Sequence, residues 1–121
     1  MTKILTLKKR RDFLRVAQDH HIATYNVVVQ ATRSLCNDDF IRVGYTATKK
    51  IGNAVIRAKS KRRMRAIARM VSSYLLKDVD YVFIARMSTA NCDFNDLSRD
   101  AIYAIKRINK NFIPTQNDDK K

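Results

Sequence analysis

The sequence predicts a single domain of the α+β class, and three observations support this prediction. A chain of 121 residues is long enough for one core and too short for two ordinary domains. Apolar and polar residues alternate as in a strand between Phe40 and Thr48, and two later segments carry apolar residues at helical spacing. With 45% apolar residues, the chain is expected to fold. We expect the domain to span residues 1–112 and a disordered tail without periodicity to span residues 113–121.

The first predicted element is a short amphipathic helix from Lys9 to Gln18. Its apolar face consists of Phe13, Val16 and Ala17. His20 and His21 follow in a predicted turn, and because adjacent histidines point in different directions, no metal or catalytic role is expected for them. The β-branched run from Tyr25 to Arg33 then predicts a strand.

The second predicted strand runs from Phe40 to Thr48 and presents one face to a core. That face consists of Ile41, Val43, Tyr45 and Ala47. The other face is polar and small, and Gly44 at its centre leaves room for a close approach to the backbone. Val28, Gln30 and Thr32 continue this polar face in the preceding strand.

A long basic helix is predicted to follow Gly52, with Asn53 as its N-cap, and to run to about Leu76. When residues are placed at about 100° intervals, one arc of this helix is suited to pack on the sheet. It consists of Ile56, Ser60, Met64, Ile67, Ala68, Val71 and Leu75. The opposite side carries Lys61, Arg62, Arg65 and Arg69, with Lys59 and Arg63 at its margin.

A strand and a helix complete the predicted fold. After a turn at residues 77–80, the continuous apolar run from Tyr81 to Met87 indicates a strand that is covered on both faces. Asp93 is predicted to cap a last helix, in which apolar residues recur at intervals of three and four. These residues are Phe94, Leu97, Ala101, Ala104, Ile105 and Ile108, and the outer face carries Lys106, Arg107 and Lys110.

The chain is strongly basic, with 25 Lys and Arg against 11 Asp and Glu, a formal net charge of +14 and a pI near 10.2. Self-repulsion on this scale indicates a polyanionic partner, and nucleic acid is favoured over an anionic membrane. Eleven of the cations lie between Asp39 and Asp78, where no acid occurs. Solvated helix faces usually interleave Glu with Lys at i, i+4, so phosphate binding explains this segment better than solvation does.

The turn before the basic helix strengthens this interpretation. Lys49 and Lys50 precede the predicted helix N-terminus at Asn53, and Arg57 follows one turn later. Free N–H groups and the positive end of the helix dipole favour an anion at such a position.

No motif in the sequence identifies the type of nucleic acid or a catalytic group. Zinc-finger spacing, an RNP aromatic motif and a recognisable helix-turn-helix are absent, and neither clustered carboxylates nor a Ser/His/Asp arrangement indicates a hydrolase site. We expect no catalytic residue and no metal ligand, and we expect Cys36 and Cys92 to be reduced thiols. No apolar run approaches a membrane span and no signal-peptide core is present, so a cytoplasmic location is expected. The residues alone leave open an RNA- or DNA-binding domain, including a ribosomal protein.

The order of these motifs resembles that in the protein subunit of bacterial ribonuclease P. In that family, a strand precedes two basic residues, a Gly-Asn-Ala-Val-like turn, an Arg-Asn-Arg triplet and a helix that continues as Lys-Arg-x-x-Arg. The matching segment is VGYTATKKIGNAVIRAKSKRRMRAIAR, and LKKRRDFLRV and DYVFIAR are similar to the family's first helix and last strand. Ala58 and Lys59 stand where the triplet has Asn and Arg, and Lys lacks the bidentate fork of Arg. Ala17 stands where many members have a second aromatic.

The resemblance implies a two-layer α-β-β-β-α-β-α sandwich, similar to the second domain of ribosomal protein S5, with a left-handed β-α-β crossover. It also implies an accessory subunit of an endonuclease whose large RNA removes the 5′ leader from precursor tRNA. The expected partners are that catalytic RNA and precursor tRNA, rather than DNA or a membrane. Mg²⁺ is expected to be held mainly by the RNA, and none by the protein alone.

Two groups of site residues follow from the resemblance taken together with the charge pattern. The predicted RNA-binding surface comprises Lys49, Lys50, Asn53, Arg57, Lys59, Lys61, Arg62, Arg65 and Arg69. The predicted leader-binding cleft comprises Phe13, Val28, Gln30, Thr46 and Thr48, where stacking and backbone contacts suit a leader of variable sequence. The alternatives are core packing for Phe13 and, for the whole chain, a structural ribosomal RNA-binding protein or nonspecific binding of membranes or DNA.

Overall fold

A computed structural model describes residues 3–36 and 39–113 and shows an α+β fold, which confirms the predicted class. The strands are β1 (Ile4–Thr6), β2 (His20–Ala23), β3 (Val27–Arg33), β4 (Ile41–Thr46) and β5 (Val79–Ala85). The helices are α1 (Arg10–Ala17), α2 (Ala54–Met70) and α3 (Phe94–Asn109), and 3-10 turns lie at Lys49–Ile51 and Ser72–Tyr74. Of the predicted tail, residues 113–121, only Ile113 is described, and its N–H donates to the carbonyl oxygen of Asn109 at 3.1 Å; residues 114–121 lie outside the described residues.

The five strands form one mixed sheet in the order β1-β4-β5-β3-β2. The central strand β5 is parallel to β4 and antiparallel to β3, and β1 is parallel to β4. From α1 onward, the elements follow the α-β-β-β-α-β-α order that the family resemblance implies.

Alternate residues of β5 contribute to two hydrophobic clusters on opposite faces of the sheet. Tyr81 and Phe83 belong to the large core, which lies between the sheet and the helices α2 and α3. Val82 belongs to a small cluster with Val16 of α1 and Leu7. The prediction that this strand is covered on both faces is therefore confirmed. The sheet with α2 and α3 forms the sandwich, and α1 lies across the other face.

The predicted core residues are largely correct. In α2, the residues of the predicted arc are buried except Ile56, which is partly buried, and in α3 the same is true except for Phe94. In α1, Val16 is buried but Ala17 is exposed, so the predicted apolar face of this helix is narrower than expected. None of the described helices is both long enough and apolar enough to cross a membrane.

Two short strands were absent from the reading of individual residues, and several boundaries differ from those predicted; β3 begins, and β4 and β5 end, two residues inside the predicted bounds. His20 and His21 lie in β2 and not in a turn, because they pair with Ala31 and Gln30 of β3. β1 has three residues and is defined by its pairing with β4, a contact that local sequence does not reveal.

The helix α2 ends at Met70 and not near Leu76, because the chain tightens into the 3-10 turn Ser72–Tyr74, which still buries Val71 and Leu75. The strand β5 begins two residues earlier than predicted. Asp80 was assigned to a turn but lies in this strand, where it is 2% exposed and accepts a hydrogen bond from Arg15 at 2.6 Å.

Candidate nucleic-acid interface

The basic turn between β4 and α2 has a backbone that only glycine readily adopts. Lys49 and Lys50 are exposed in the 3-10 turn, and the buried side chain of Ile51 anchors that turn in the core. Gly52 follows with a φ of 147°, and a Cβ atom at this position would lie 2.9 Å from the side chain of Ile56. The glycine therefore allows the two lysines to lie directly before the helix.

The predicted N-cap of α2 is confirmed. Asn53 Oδ1 accepts a hydrogen bond from the N–H of Ile56 at 3.0 Å. The first turn of the helix contains no acid, and Arg57 Nε lies 3.4 Å from the carbonyl oxygen of Asn53, to which it donates. The positive end of the helix dipole and three cationic side chains are therefore adjacent.

The outer side of α2 forms a cationic ridge, which we define as Arg57, Lys61, Arg62, Arg65 and Arg69. Arg62, Arg65 and Arg69 are exposed, and the other two are partly buried. Arg57 and Lys61 line a shallow depression of about 260 Å³ beside the small side chain of Ala58. Within the described ranges, no member of the ridge forms an ion pair, so its charge is available to an external anion.

The two cations at the margin of the helix contact the loop that precedes α3. Arg63 donates to the carbonyl oxygens of Thr89 at 2.7 Å and Cys92 at 2.6 Å, and its guanidinium lies 5.6 Å from the ring centroid of Phe94. Lys59 Nζ donates to Asn91 Oδ1 at 3.3 Å. Arg63 is therefore a structural residue. Lys59, which was predicted to bind RNA, contacts the loop through Asn91 and lies beside the ridge.

Tyr45 connects the cationic ridge to the core. The Arg65 guanidinium lies 5.3 Å from the Tyr45 ring centroid, and the same ring meets Phe83 edge-on at 6.1 Å. Burial raises the pKa of the Tyr45 hydroxyl, and the charges of Arg65 and Arg69 partly oppose that rise. The hydroxyl therefore keeps its proton at neutral pH. The face of the Tyr45 ring attracts the Arg65 guanidinium and positions it beside the sheet.

Three of the five predicted cleft residues, Val28, Gln30 and Thr46, are brought together by the register of three strands. Val28, Ile84 and Thr46 are partners across β3, β5 and β4, and the next row is Gln30, Val82 and Gly44. Partners in one row point to the same face, which here is the face that carries α1. Val28, Gln30, Ile84 and Thr46 are all partly exposed beside that helix. Ile84 was missed because the strand was predicted to be covered on both faces.

Phe13 lies over the centre of this face. A Cβ atom on Gly44 would lie 2.7 Å from the ring atoms Cε1 and Cζ of Phe13, so the ring occupies the space that the glycine leaves. The ring also packs on the small cluster of Leu7, Val16 and Val82, yet it remains partly exposed. Both roles considered for Phe13, core packing and a surface for stacking, are compatible with this position. Thr48 lies beyond the end of β4, before the 3-10 turn.

The cleft and the cationic ridge meet in one depression of about 360 Å³. Phe13 and Thr46 line it from the cleft, Lys61 lines it from the ridge, and Lys8 and Arg10 line it from the start of α1. Lys8 and Arg10 were not among the predicted site residues, although their position in the basic run KKRR next to Phe13 was a signal for them. Across the described part of the chain, no group of three or more His, Cys, Asp or Glu residues could hold a metal ion.

Comparisons with known proteins identify the same family in sequence and in structure. Residues 1–109 match the family model described as Ribonuclease P. The ribonuclease P protein component of Paramagnetospirillum magneticum is 38% identical over 107 residues, which cover 84% of this chain and 80% of that protein. That of Limosilactobacillus fermentum is 35% identical and covers 87% of this chain and 92% of the relative.

Two solved structures of ribonuclease P proteins share the fold. The Staphylococcus aureus protein is 28% identical, with a TM-score of 0.72 over 85% of this chain and 94% of that one. The Thermotoga maritima protein is 27% identical, with a TM-score of 0.72 over 84% of this chain and 96% of that one.

Proposed function

Since this chain belongs to the ribonuclease P protein family, we propose that it binds the catalytic RNA through the cationic ridge and the 5′ leader of precursor tRNA through the adjoining cleft. It is the protein component of a ribonucleoprotein endoribonuclease that processes tRNA, and the RNA is the catalyst. Because the chain belongs to this family, we no longer consider the alternative that it is a structural ribosomal RNA-binding protein. We further propose that the protein acts in the cytoplasm, where precursor tRNA and the catalytic RNA are its partners.

The observation that carries this proposal is the depression shared by Phe13, Thr46 and Lys61. A single RNA strand that leaves the cleft at Thr46 can reach the ridge without crossing an uncharged gap, because Lys8 and Arg10 flank its path. Phosphates can therefore follow cations from one surface to the other, and the leader can be held next to the catalytic RNA.

The two surfaces supply different kinds of contact. The ridge and the turn offer ammonium and guanidinium groups that neutralise phosphates without reading sequence. The cleft offers the Phe13 ring, the apolar side chains of Val28 and Ile84 and the polar groups of Gln30 and Thr46. Such a mixture suits single-stranded RNA, whose bases stack on a ring and whose backbone accepts hydrogen bonds.

The residues of these surfaces do not fit a magnesium site of the protein's own. Mg²⁺ prefers carboxylate and phosphate oxygens, and neither the ridge nor the cleft, as defined above, contains a carboxylate. We therefore propose that the Mg²⁺ required for the reaction is held by the RNA. The cations of the protein would help by neutralising RNA phosphates, which lowers the same phosphate–phosphate repulsion that Mg²⁺ ions reduce.

The decisive experiment follows removal of the 5′ leader from a labelled precursor tRNA by the organism's catalytic RNA at limiting Mg²⁺. We expect strong stimulation by the protein and no cleavage when the RNA is omitted. The double variant Arg57→Ala, Arg65→Ala should stimulate much less, because two phosphate contacts are lost.

The matched control removes two charges from the outer face of α3, with Arg107→Ala and Lys110→Ala. Both residues are exposed; Arg107 lies on α3 and Lys110 directly follows its end, away from the ridge on α2, so this variant should stimulate as the unmodified protein does. Absence of stimulation with a well-folded RNA would refute the proposed function. Equal loss in both double variants would refute the ridge as the RNA-binding surface.

A further inference from the structure

A second cavity lies on the same face of the sheet as the cleft, on the other side of α1. It has a volume of about 630 Å³, and we call it the α1 pocket. Asp80 and Arg42, which line it, are partners in one row of the sheet, and Leu5 of β1 extends that row. The cleft row contains Thr46, four residues further along β4, so the two sites are separated by roughly 13 Å along the strand. The helix α1 covers the row between them.

The rim of the α1 pocket is cationic. Lys8, Lys9 and Arg11 line it and are exposed, and the one carboxylate at this rim, Asp12, is paired with Arg15 at 3.4 Å. None of the three forms an ion pair with any residue in 3–36 or 39–113. Three cations that remain unpaired at one opening favour an anion with several oxygens, such as a phosphate.

Part of the wall of the α1 pocket is apolar. Leu5, Leu7 and Leu35 line it, and Leu35 is 79% exposed although it is a large aliphatic residue. A pocket of this volume, with apolar walls and a few polar groups, has the character of a site for a small organic group. Inorganic phosphate alone would leave these walls uncovered.

A buried acceptor lies at the base of the same pocket. Asp80 lines the pocket, and its Oδ2 atom accepts a hydrogen bond from Arg15 at 2.6 Å. Its Oδ1 atom is covered by protein atoms and has no hydrogen-bond partner among the described residues. A buried carboxylate oxygen without a donor is unfavourable. Because protein atoms cover Oδ1 and Arg15 already donates to Oδ2, Asp80 holds α1 over this row of the sheet and is not among the groups that we expect to contact a ligand.

We propose that the α1 pocket binds one unpaired nucleotide of an RNA strand, with its base against Leu5, Leu7 and Leu35 and its phosphate at Lys9 and Arg11. The cationic rim matches the phosphate, and the aliphatic part of the wall matches the faces of the base. This inference rests on the proposed function only for the source of the nucleotide, which is either the leader or the catalytic RNA.

The first test measures binding of adenosine 5′-monophosphate to the full chain by NMR, with inorganic phosphate and adenosine in parallel titrations. We expect the nucleotide to shift the methyl signals of Leu5 and Leu7 at lower concentration than either fragment. The variant Lys9→Ala, Arg11→Ala should weaken this binding roughly tenfold, because two solvent-exposed charge contacts are lost. The control Arg107→Ala, Lys110→Ala should bind as the unmodified protein does.

Three results would overturn the proposal: no shift of the leucine methyl groups, equal shifts with inorganic phosphate alone, or equal weakening in both double variants. The proposed function has a separate readout, since stimulation of cleavage does not depend on the mononucleotide titration. A protein that stimulates cleavage but does not bind the nucleotide would refute only the pocket.

The second test identifies the source of the nucleotide. Affinities of the Lys9→Ala, Arg11→Ala variant are measured for the catalytic RNA alone and, in the holoenzyme, for precursors with leaders of increasing length. A leader nucleotide predicts a loss that appears only beyond a certain leader length. A nucleotide of the catalytic RNA predicts a loss that is present without any precursor. A loss no greater than that of the control in both series would overturn the proposal.

Discussion

At the scale of single residues, Gly44 is the position where the packing of the cleft is most sensitive. Alanine at this position would place a methyl group 2.7 Å from the Phe13 ring, so the ring must move. Overpacking of this kind costs about 1–3 kcal/mol. We expect Gly44→Ala to lower the free energy of unfolding and to weaken holoenzyme binding of leader-bearing precursor more than of mature tRNA.

A double variant separates the two effects of Gly44→Ala. Phe13→Leu removes the ring atoms that collide with the new methyl group, so Gly44→Ala, Phe13→Leu should regain part of the stability lost in the single variant. It should not regain leader binding, because the stacking surface is gone. Urea unfolding and binding of the two tRNA forms provide the measurements. Equal loss for precursor and mature tRNA would contradict the assignment of this face to the leader.

At the scale of elements, the hydroxyl of Tyr81 joins β5 to α3 and to the turn after α2. It donates to Asn109 Oδ1 at 2.7 Å and accepts from the N–H of Leu76 at 2.9 Å. Burial raises the pKa of this hydroxyl well above its ordinary value, although the hydrogen bond from Leu76 opposes the rise. The folded state therefore favours the protonated form, and the resulting stability is complete below the unfolded pKa of about 10. It is lost as the pH rises through the folded pKa.

Replacing Tyr81 tests this link between the elements. We expect Tyr81→Phe to cost about 1–3 kcal/mol at neutral pH, since Leu76 N–H and Asn109 Oδ1 lose their partner. Above pH 10, the free energy of unfolding of this variant should fall less steeply with pH than that of the unmodified protein. Urea unfolding between pH 8 and 11 gives both quantities. Parallel pH profiles would show that Tyr81 does not contribute to the alkaline loss of stability.

The sequence predicted elements where local pattern alone determines the structure. The caps of α2 and α3, at Asn53 and Asp93, and the arc of α2 were correct because a side-chain oxygen or a helical repeat acts within a few residues. β1 and β2 were not found from the residue pattern, because they are defined by their pairing with β4 and β3; of the two, only β2 was implied by the family resemblance. Within the candidate site, Ile84 could not be assigned until the register was known, whereas the basic run next to Phe13 already offered a signal for Lys8 and Arg10. The roles predicted for the RNA-binding and cleft residues stay predictions.

At the scale of the whole molecule, the net charge of +14 makes binding to RNA dependent on salt. We expect the logarithm of the association constant for the catalytic RNA to fall linearly with the logarithm of salt concentration. Each phosphate contact removed should lower the slope by about 0.9 for a duplex or about 0.7 for a single strand. Arg57→Ala, Arg65→Ala should therefore flatten the slope by about twice these values.

The control for this measurement is the α3 variant Arg107→Ala, Lys110→Ala, which changes the net charge equally. It should leave the slope almost unchanged if contacts at the ridge, and not total charge, determine the release of counterions. Filter binding or fluorescence anisotropy over a range of salt concentrations gives the slopes. An unchanged slope in the ridge variant would mean that Arg57 and Arg65 do not contact phosphates.

The place of β5 in the sheet also sets an order of events during synthesis of the chain. β5 is the last strand to leave the ribosome, yet it is the central one, and both β3 and β4 pair with it. Until residue 85 has emerged, these two strands have no common partner, and α2 has only part of the surface on which it packs. The most basic segment of the chain is thus made before the sheet that orients it, in the vicinity of ribosomal RNA. We therefore expect this segment to take up its fixed orientation, with the cations of the ridge on one side, only once the central strand has formed.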